Sequence, residues 1–315
     1  MQLVRAVAIG VCLLAGGGLV AAQQTRIDAT ALVDDLRRLS ADDMEGRRVG
    51  TPGGARARAL LVAQFLDAGL RPFAGTFEQP FGGGRGVAGV NVAGHVPGRV
   101  HPDAFIVVSA HYDHLGVRDG RIFNGANDNA SGAAALPALA RYFVRNRPAT
   151  SLLFVAFDAE ESGLAGSRAF VDRPPVARDA LVLNLNMDMI GRDPSNTLWV
   201  VGTRRQPALR PLIERAAATA SVSLRMGYDN PADGALKDWT RDSVHWSFLN
   251  AGIPALYFGV EDFALHHQPD DDFETMTMDF YVRAVESMVR VIEVMDAETP
   301  ALTRLRARTP EGTRR

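Results

Sequence analysis

Four stretches of this 315-residue chain read as buried strands, and each runs into side chains that a buried strand end leaves poorly hydrated. Phe105–Ala110 leads to His111, Tyr112, Asp113 and His114. Leu152–Phe157 leads to Asp158, Glu160 and Glu161. Leu181–Met187 leads to Asp188, and Ala255–Val260 is followed a few residues later by His266 and His267. Runs that are apolar at nearly every position mark strands covered on both faces. Glu160 and Glu161 are adjacent like charges at the end of such a run, so each raises the cost of ionising the other, and a cation nearby is the simplest compensation. Sites in open α/β sheets form beyond the carboxyl ends of the strands, where loops converge. Clusters far apart in sequence can therefore meet in space.

The rest of the mature chain fits that frame. Helical periodicity predicts helices over Ile27–Ser40, Ala55–Ala68 (closed by Gly69), Ser131–Asn146, Pro207–Ala220 and Asp279–Met295. Further strands are expected at Val87–Val92 and Leu198–Val201. Met44–Gly54 and Phe81–Gly86 read as Gly- and Pro-punctuated turns. Pro137 should kink its helix, since it removes a backbone donor and crowds the preceding turn. Alternating strands and helices without an internal repeat predict a single three-layer α/β domain: a mostly parallel, mixed central sheet with helices on both faces. The domain is expected over residues 23–298. The tail, Thr299–Arg315, lacks periodicity and is expected to be disordered.

Composition excludes some classes. The hydrophobic share of 47% and net charge of -2 describe a globular chain with a sizeable core. The arginines are dispersed rather than gathered in a stripe, so no nucleic-acid partner is expected. Residues 1–22 read as an export signal: Arg5, an apolar run over Ala6–Val20, then Val20-Ala21-Ala22 before a cut. That run is short for a bilayer span, and a secreted or periplasmic protein with no stable membrane association after cleavage is expected. Cys12 lies inside the signal, so the mature chain has no disulfide framework.

Each polar cluster has a plainer reading when taken alone. HYDHLG could be a turn with a hydrogen-bonded histidine, Glu160-Glu161 a helix start, Asp188 a cap, and His266-His267 a surface loop. Their joint recurrence at the ends of buried strands points instead to a metal site. The residues SAHYDHLG (109–116), NGANDNASG (124–132), FDAEESGLAGS (157–167), NMDMIGR (186–192), AGIPALYF (251–258) and HQPDD (267–271) resemble the di-zinc aminopeptidases, the group that includes glutamate carboxypeptidase and glutaminyl cyclase relatives. EGRRVGTPGG (45–54) looks like the entrance region of such enzymes.

The resemblance implies two zinc ions, His111, Asp128 and Asp188 serving one and Asp128, Glu161 and His267 the other, with Asp128 bridging. It implies Glu160 as general base and Asp113 as the carboxylate that orients His111, an arrangement usual for metal-ligating histidines. Asn127 and Asn129 either fix the Asp128 rotamer or serve the turn. Two departures stand out. The family often has tyrosine just before the last zinc histidine, where this chain has His266, a candidate for oxyanion help or a reserve ligand. It also often has Ser-Asp-His lining the substrate pocket, where this chain reads Ser243-Val244-His245. Asp242 is a candidate replacement for the missing acid. The activity implied is a zinc exopeptidase acting on peptides, foremost an aminopeptidase. A carboxypeptidase, a glutaminyl cyclase and a non-catalytic binding domain of the same fold are the alternatives. Side-chain preference and oligomeric state are not legible in the sequence.

Overall fold

A computed structural model describes residues 26–82 and 86–309. The export signal, its cut and Cys12 lie outside the described residues, as do positions 310–315 of the tail. The strands are β1 (Arg71–Pro72), β2 (Glu78–Phe81), β3 (Gly89–Val96), β4 (His101–His111), β5 (Gly116–Arg118), β6 (Arg121–Phe123), β7 (Thr150–Phe157), β8 (Leu181–Met187), β9 (Thr197–Val201), β10 (Ser223–Met226) and β11 (Ala255–Gly259). The helices are α1 (Ala29–Leu39), α2 (Pro52–Asp67), α3 (Gly132–Arg145), α4 (Ala165–Asp172), α5 (Arg210–Ala217), α6 (His245–Asn250), α7 (Met278–Asp296) and α8 (Thr299–Arg308).

The main sheet has the order β1-β3-β7-β4-β8-β11-β9-β10, with β2 also paired to β3. Its centre, β7-β4-β8-β11, is parallel throughout. Antiparallel pairs flank it, β3 against β7 and β9 against β11. The four runs singled out in the sequence are thus the four adjacent central strands, and their carboxyl ends share one edge. Alternation along β4 divides the core: Ile106, Val108 and Ala110 pack with α1, α2, α3, α5 and α7, while Phe105 and Val107 pack with α4 and α6. Both faces are therefore covered, which is why these strands are buried at every central position; the alternate asparagines of β8, Asn184 and Asn186, are buried too and bond to Ser109 and Ser243.

Local differences have physical causes. α2 starts at Pro52, before the expected Ala55. Thr51 caps it by accepting from the Gly54 N–H, and proline suits a first turn whose N–H groups have no intrahelical acceptor. α3 continues through Pro137. The expectation of a disordered tail fails over Thr299–Arg308, which forms α8. Pro300 sits in its first turn and Leu302 is buried in the core. Arg306 anchors this helix, donating to the Gly252 carbonyl at 2.9 Å. No described helix is long and apolar enough to cross a membrane.

Candidate metal centre

His111 closes β4 and Asp188 directly follows β8, its neighbour in the sheet. The His111 Nε2 lies 3.3 Å from Asp188 Oδ1 and 3.3 Å from Asp128 Oδ1. On the other side of Asp128, its Oδ2 lies 3.2 Å from His267 Nε2, which is itself 3.1 Å from Glu161 Oε2. Asp128 therefore presents one oxygen to each half of a single cup. His266 Nε2 is 3.6 Å from the same Oδ2. Glu160 groups with His111 and Asp188, with donor atoms within 4.8 Å of one another. The sequence-expected residues are thus brought together from five separate loops.

The loops are held with care. Asp128 sits between Asn127 and Asn129, in a segment joined by a cis peptide at Asp128–Asn129. Both asparagines fasten it. Asn129 donates to the Met187 carbonyl and accepts from the Gly132 N–H, while Asn127 donates to Asp262 and accepts from the Gly191 N–H. The Asp271 carboxylate receives the N–H groups of Asn127 and Asp128, and Arg192 binds both Asp271 and Asp262. Gly125 turns the chain before Asp128 with φ of +53°. A side chain there would come within 2.1 Å of the Asp128 carbonyl and 2.5 Å of the His114 ring. His267 itself and two residues next to cup acids, Ala159 and Met189, also hold positive φ. Such conformations cost on the order of 1–3 kcal/mol each and persist only where surroundings impose them.

Asp113 does two jobs. His111 Nδ1 lies 3.1 Å from its backbone carbonyl and 3.7 Å from its carboxylate. That carboxylate also receives the N–H groups of Glu160 (2.9 Å) and Glu161 (3.3 Å), so it sets the turn that carries both acids.

The electrostatics separate the two glutamates. Burial raises the Glu160 carboxyl well above its usual range, against the pull of His111, and Asp188, Glu161 and Asp113 push the same way. Burial and Asp128 would also raise Glu161, yet His114 and His267 bring it down to about 2. Burial opposes ionisation of Asp128 too, but His114, His111 and His267 hold it well below the carboxylate range. Its Oδ2 is buried and faces three imidazoles, His267 at 3.2 Å and His114 and His266 at 3.6 Å, none of which makes a well-aligned hydrogen bond to it. A buried carboxylate oxygen without a donor is costly unless a cation sits beside it. The imidazole and carboxylate donors suit zinc, so the residues present fit a metal centre.

Two residues have roles that the sequence does not give: His114, named there only within its cluster, and Arg47. His114 is buried, with Nδ1 2.9 Å from Glu161 Oε1 and 3.6 Å from Asp128 Oδ2. Its place in HYDHLG, three residues after His111, was the available signal. Arg47, from EGRRVGTPGG, is fully buried and donates to the carbonyls of Tyr112, Leu39, Asn124 and Gly125, tying together the turns that carry His111 and Asp128. Burial lowers its pKa to about 10, so it stays charged at neutral pH. One expectation is corrected. Ser243, Val244 and His245 do not line the cleft; all three are buried behind its wall, where Ser243 accepts a hydrogen bond from Asn186.

The cup opens into a cleft of about 400 Å³, walled by Leu236, Trp239, Tyr257, Val260 and Phe263 and by the acids Asp242 and Asp262.

A family model described as peptidase family M28 matches residues 91–292, which hold every residue of the cup. The chain belongs to peptidase family M28. A probable zinc metalloprotease of Pyrenophora teres f. teres is 31% identical over 199 residues, covering 56% of this chain and 40% of that protein. The M28 chain thus spans less than half the length of that curated relative. Among solved structures, the Porphyromonas gingivalis glutaminyl cyclase superposes with a TM-score of 0.70 at 20% identity, covering 85% of this chain and 99% of that one. A zinc aminopeptidase from Bacillus subtilis gives a TM-score of 0.67 at 16% identity over 86% and 96% of the two chains. At those identities the structures speak for the fold.

Proposed function

We propose that this chain is a zinc-dependent exopeptidase that removes the N-terminal residue from peptides. The observation that carries this reading is the charge of the cleft: among the described residues, those lining it include Asp242 and Asp262 beside the cup, and no arginine or lysine. A substrate carboxylate calls for a cation, above all a forked arginine. A free amine calls for acceptors. Asp262 is engaged by Arg192, whereas the Asp242 carboxylate has no hydrogen bond or ion pair among the described residues, so it is the acid left for an α-ammonium group. Arg204, Arg205 and Arg241 line a separate cleft.

His111, Asp128 and Asp188 would hold one zinc ion, and Asp128, Glu161 and His267 the other. Bound there, the ions would polarise the peptide carbonyl and make a water more acidic. Glu160 is the general base, taking a proton from the attacking water and returning it to the departing amine. Its place against His111 and Asp188 puts it at the cup for both halves of that transfer. Glu161 is held ionised and serves as a ligand. Asp113 keeps both glutamates and His111 in register. The apolar amino terminus supports export, a reading that rests on sequence alone.

Zinc content and hydrolysis of a panel of aminoacyl amides test the reading, with N-blocked peptides, carboxyl-terminal substrates and N-terminal glutamine peptides alongside. Cleavage that requires a free amine is expected. Turnover confined to N-blocked substrates or to glutamine cyclisation would overturn it, as would protein that binds no zinc.

A further inference from the structure

We infer that His114 is a positioning residue of the metal centre, holding one oxygen of Glu161 so that the other alone faces the second cation. The inference rests on reading the cup as a two-cation centre. His114 Nδ1 lies 2.9 Å from Glu161 Oε1, while Glu161 Oε2 is the oxygen that faces His267, at 3.1 Å. The two carboxylate oxygens are thus divided between a buried imidazole and an open one. The His114 side chain is inaccessible to solvent, whereas that of His267 is 42% exposed.

The far nitrogen of His114 decides between ligand and support. Nε2 is buried and has no hydrogen-bond partner among the described residues. If Nδ1 bound a cation directly, the proton would sit on Nε2 as a buried donor without an acceptor. Metal-ligating histidines almost always hand that second N–H to an oxygen, as His111 can to Asp113. With the proton on Nδ1, the bond to Glu161 is made and only a lone pair stays unpaired, the less costly arrangement. The ring is packed in place by Gly125, whose missing side chain would otherwise strike His114 at 2.5 Å. His114 therefore donates to Glu161, fixes its rotamer and leaves Oε2 as the ligand atom.

The test uses the full chain and zinc alone. His114→Ala removes the donor. His114→Asn puts an amide N–H near the place of the imidazole Nδ1. Zinc bound per chain is followed during competition with a chromophoric chelator, and thermal unfolding of the metal-free proteins is measured alongside. His114→Ala should weaken one zinc equivalent by about 10–100-fold, the range for such supporting groups, leaving the other equivalent near wild type; the metal-free melting temperature should fall as well, because a buried side chain and its bond to Glu161 are lost, so zinc affinities are compared under conditions where all the variants are folded. His114→Asn should restore most of the affinity. Unchanged zinc affinity in His114→Ala would overturn the inference, as would an asparagine variant that binds as weakly as the alanine one. If the alanine variant does not fold, His114→Leu replaces it as the donor-free variant, with the same outcomes. A wild-type chain holding a single zinc would sink the two-cation reading separately. The alanine variant then still decides the role of His114 by weakening, or not weakening, that one ion.

Discussion

The two halves of the cup are built from different materials. The half around His111 and Asp188 is made of strand ends: both side chains follow directly from central parallel strands and are 1% and 7% exposed. The half around His267 hangs on a loop that leaves β11 and returns only after several residues, and its imidazole is 42% exposed. Asp128 belongs to both. The difference teaches that the strand ends themselves place two of the three side chains of the first half, whereas the second takes all of its side chains from loops and adds the buried His114 as a support. Asp271 and Arg192 hold Asp128 and so serve both halves. The two halves should therefore fail in different ways.

The largest effect is expected where the two halves meet chemically, at the adjacent glutamates. Glu160→Ala should lower kcat by about 10²–10⁴-fold, the worth of a positioned proton-transfer group, with zinc content unchanged. Glu161→Ala should lose zinc from the loop-borne half. Metal analysis of both purified variants checks the division, and equal zinc loss in the two would erase it.

A second contrast separates the buried wall from the cup. His245 is fully buried behind the cleft, and burial lowers its pKa from 6.5 to about 4. The native state thus favours the neutral ring. Its contribution is present above pH 6.5 and is lost as pH falls toward 4, where protonation favours the unfolded chain. A drop of that size corresponds to about 3 kcal/mol. Urea unfolding of wild type and His245→Gln between pH 7 and pH 4 checks this. The variant should lose less stability across that window, and parallel curves would remove His245 from the account.

Chelation should distinguish the halves next. The exposed His267 side is expected to release its ion first, and the His111 side only at higher chelator concentration. Asp113→Ala should narrow the gap, because it loosens His111 and both glutamates together; supporting groups of this kind are worth about 10–100-fold in affinity. Simultaneous loss of both ions from wild type would mean that strand-end rigidity does not order the two positions.

What was legible in the sequence follows the same division. Parallel strands buried on both faces are continuous apolar runs, so their carboxyl ends, and with them His111, Glu160, Glu161 and Asp188, could be read directly. His114 stands in the same cluster, but its role could not be read there, and neither could that of Arg47. A buried imidazole or guanidinium is identified by its partners, and those come from loops far away in sequence, Glu161 for one and Asn124 and Gly125 for the other. The same limit explains Ser243–His245: whether a residue beside a pocket faces in or out depends on the helix it begins, here α6, and not on its type. α8 was missed because its apolar content is slight. Leu302 packs it onto the core with Leu305 three residues on beside it, a pair too short to stand out as periodicity in an arginine-rich tail.

The smallest effect is expected on the cleft wall. Phe263 is 57% exposed yet lines the cleft, and Leu236 beside it is 77% exposed, so both keep much of their apolar surface in water until a substrate covers it. Phe263→Ala should leave melting temperature nearly unchanged, since an exposed side chain contributes little to folding, typically within about 0.5 kcal/mol. It should raise KM for aminoacyl amides with large apolar first residues by a few-fold, and change alanyl amides less, because only the larger side chain reaches the missing ring. One lost apolar contact of that kind is worth on the order of 1 kcal/mol. A uniform change across the panel would place Phe263 in the packing of the His267 loop rather than in contact with substrate. The exposed side of the molecule would then be more tightly built than its solvent exposure implies.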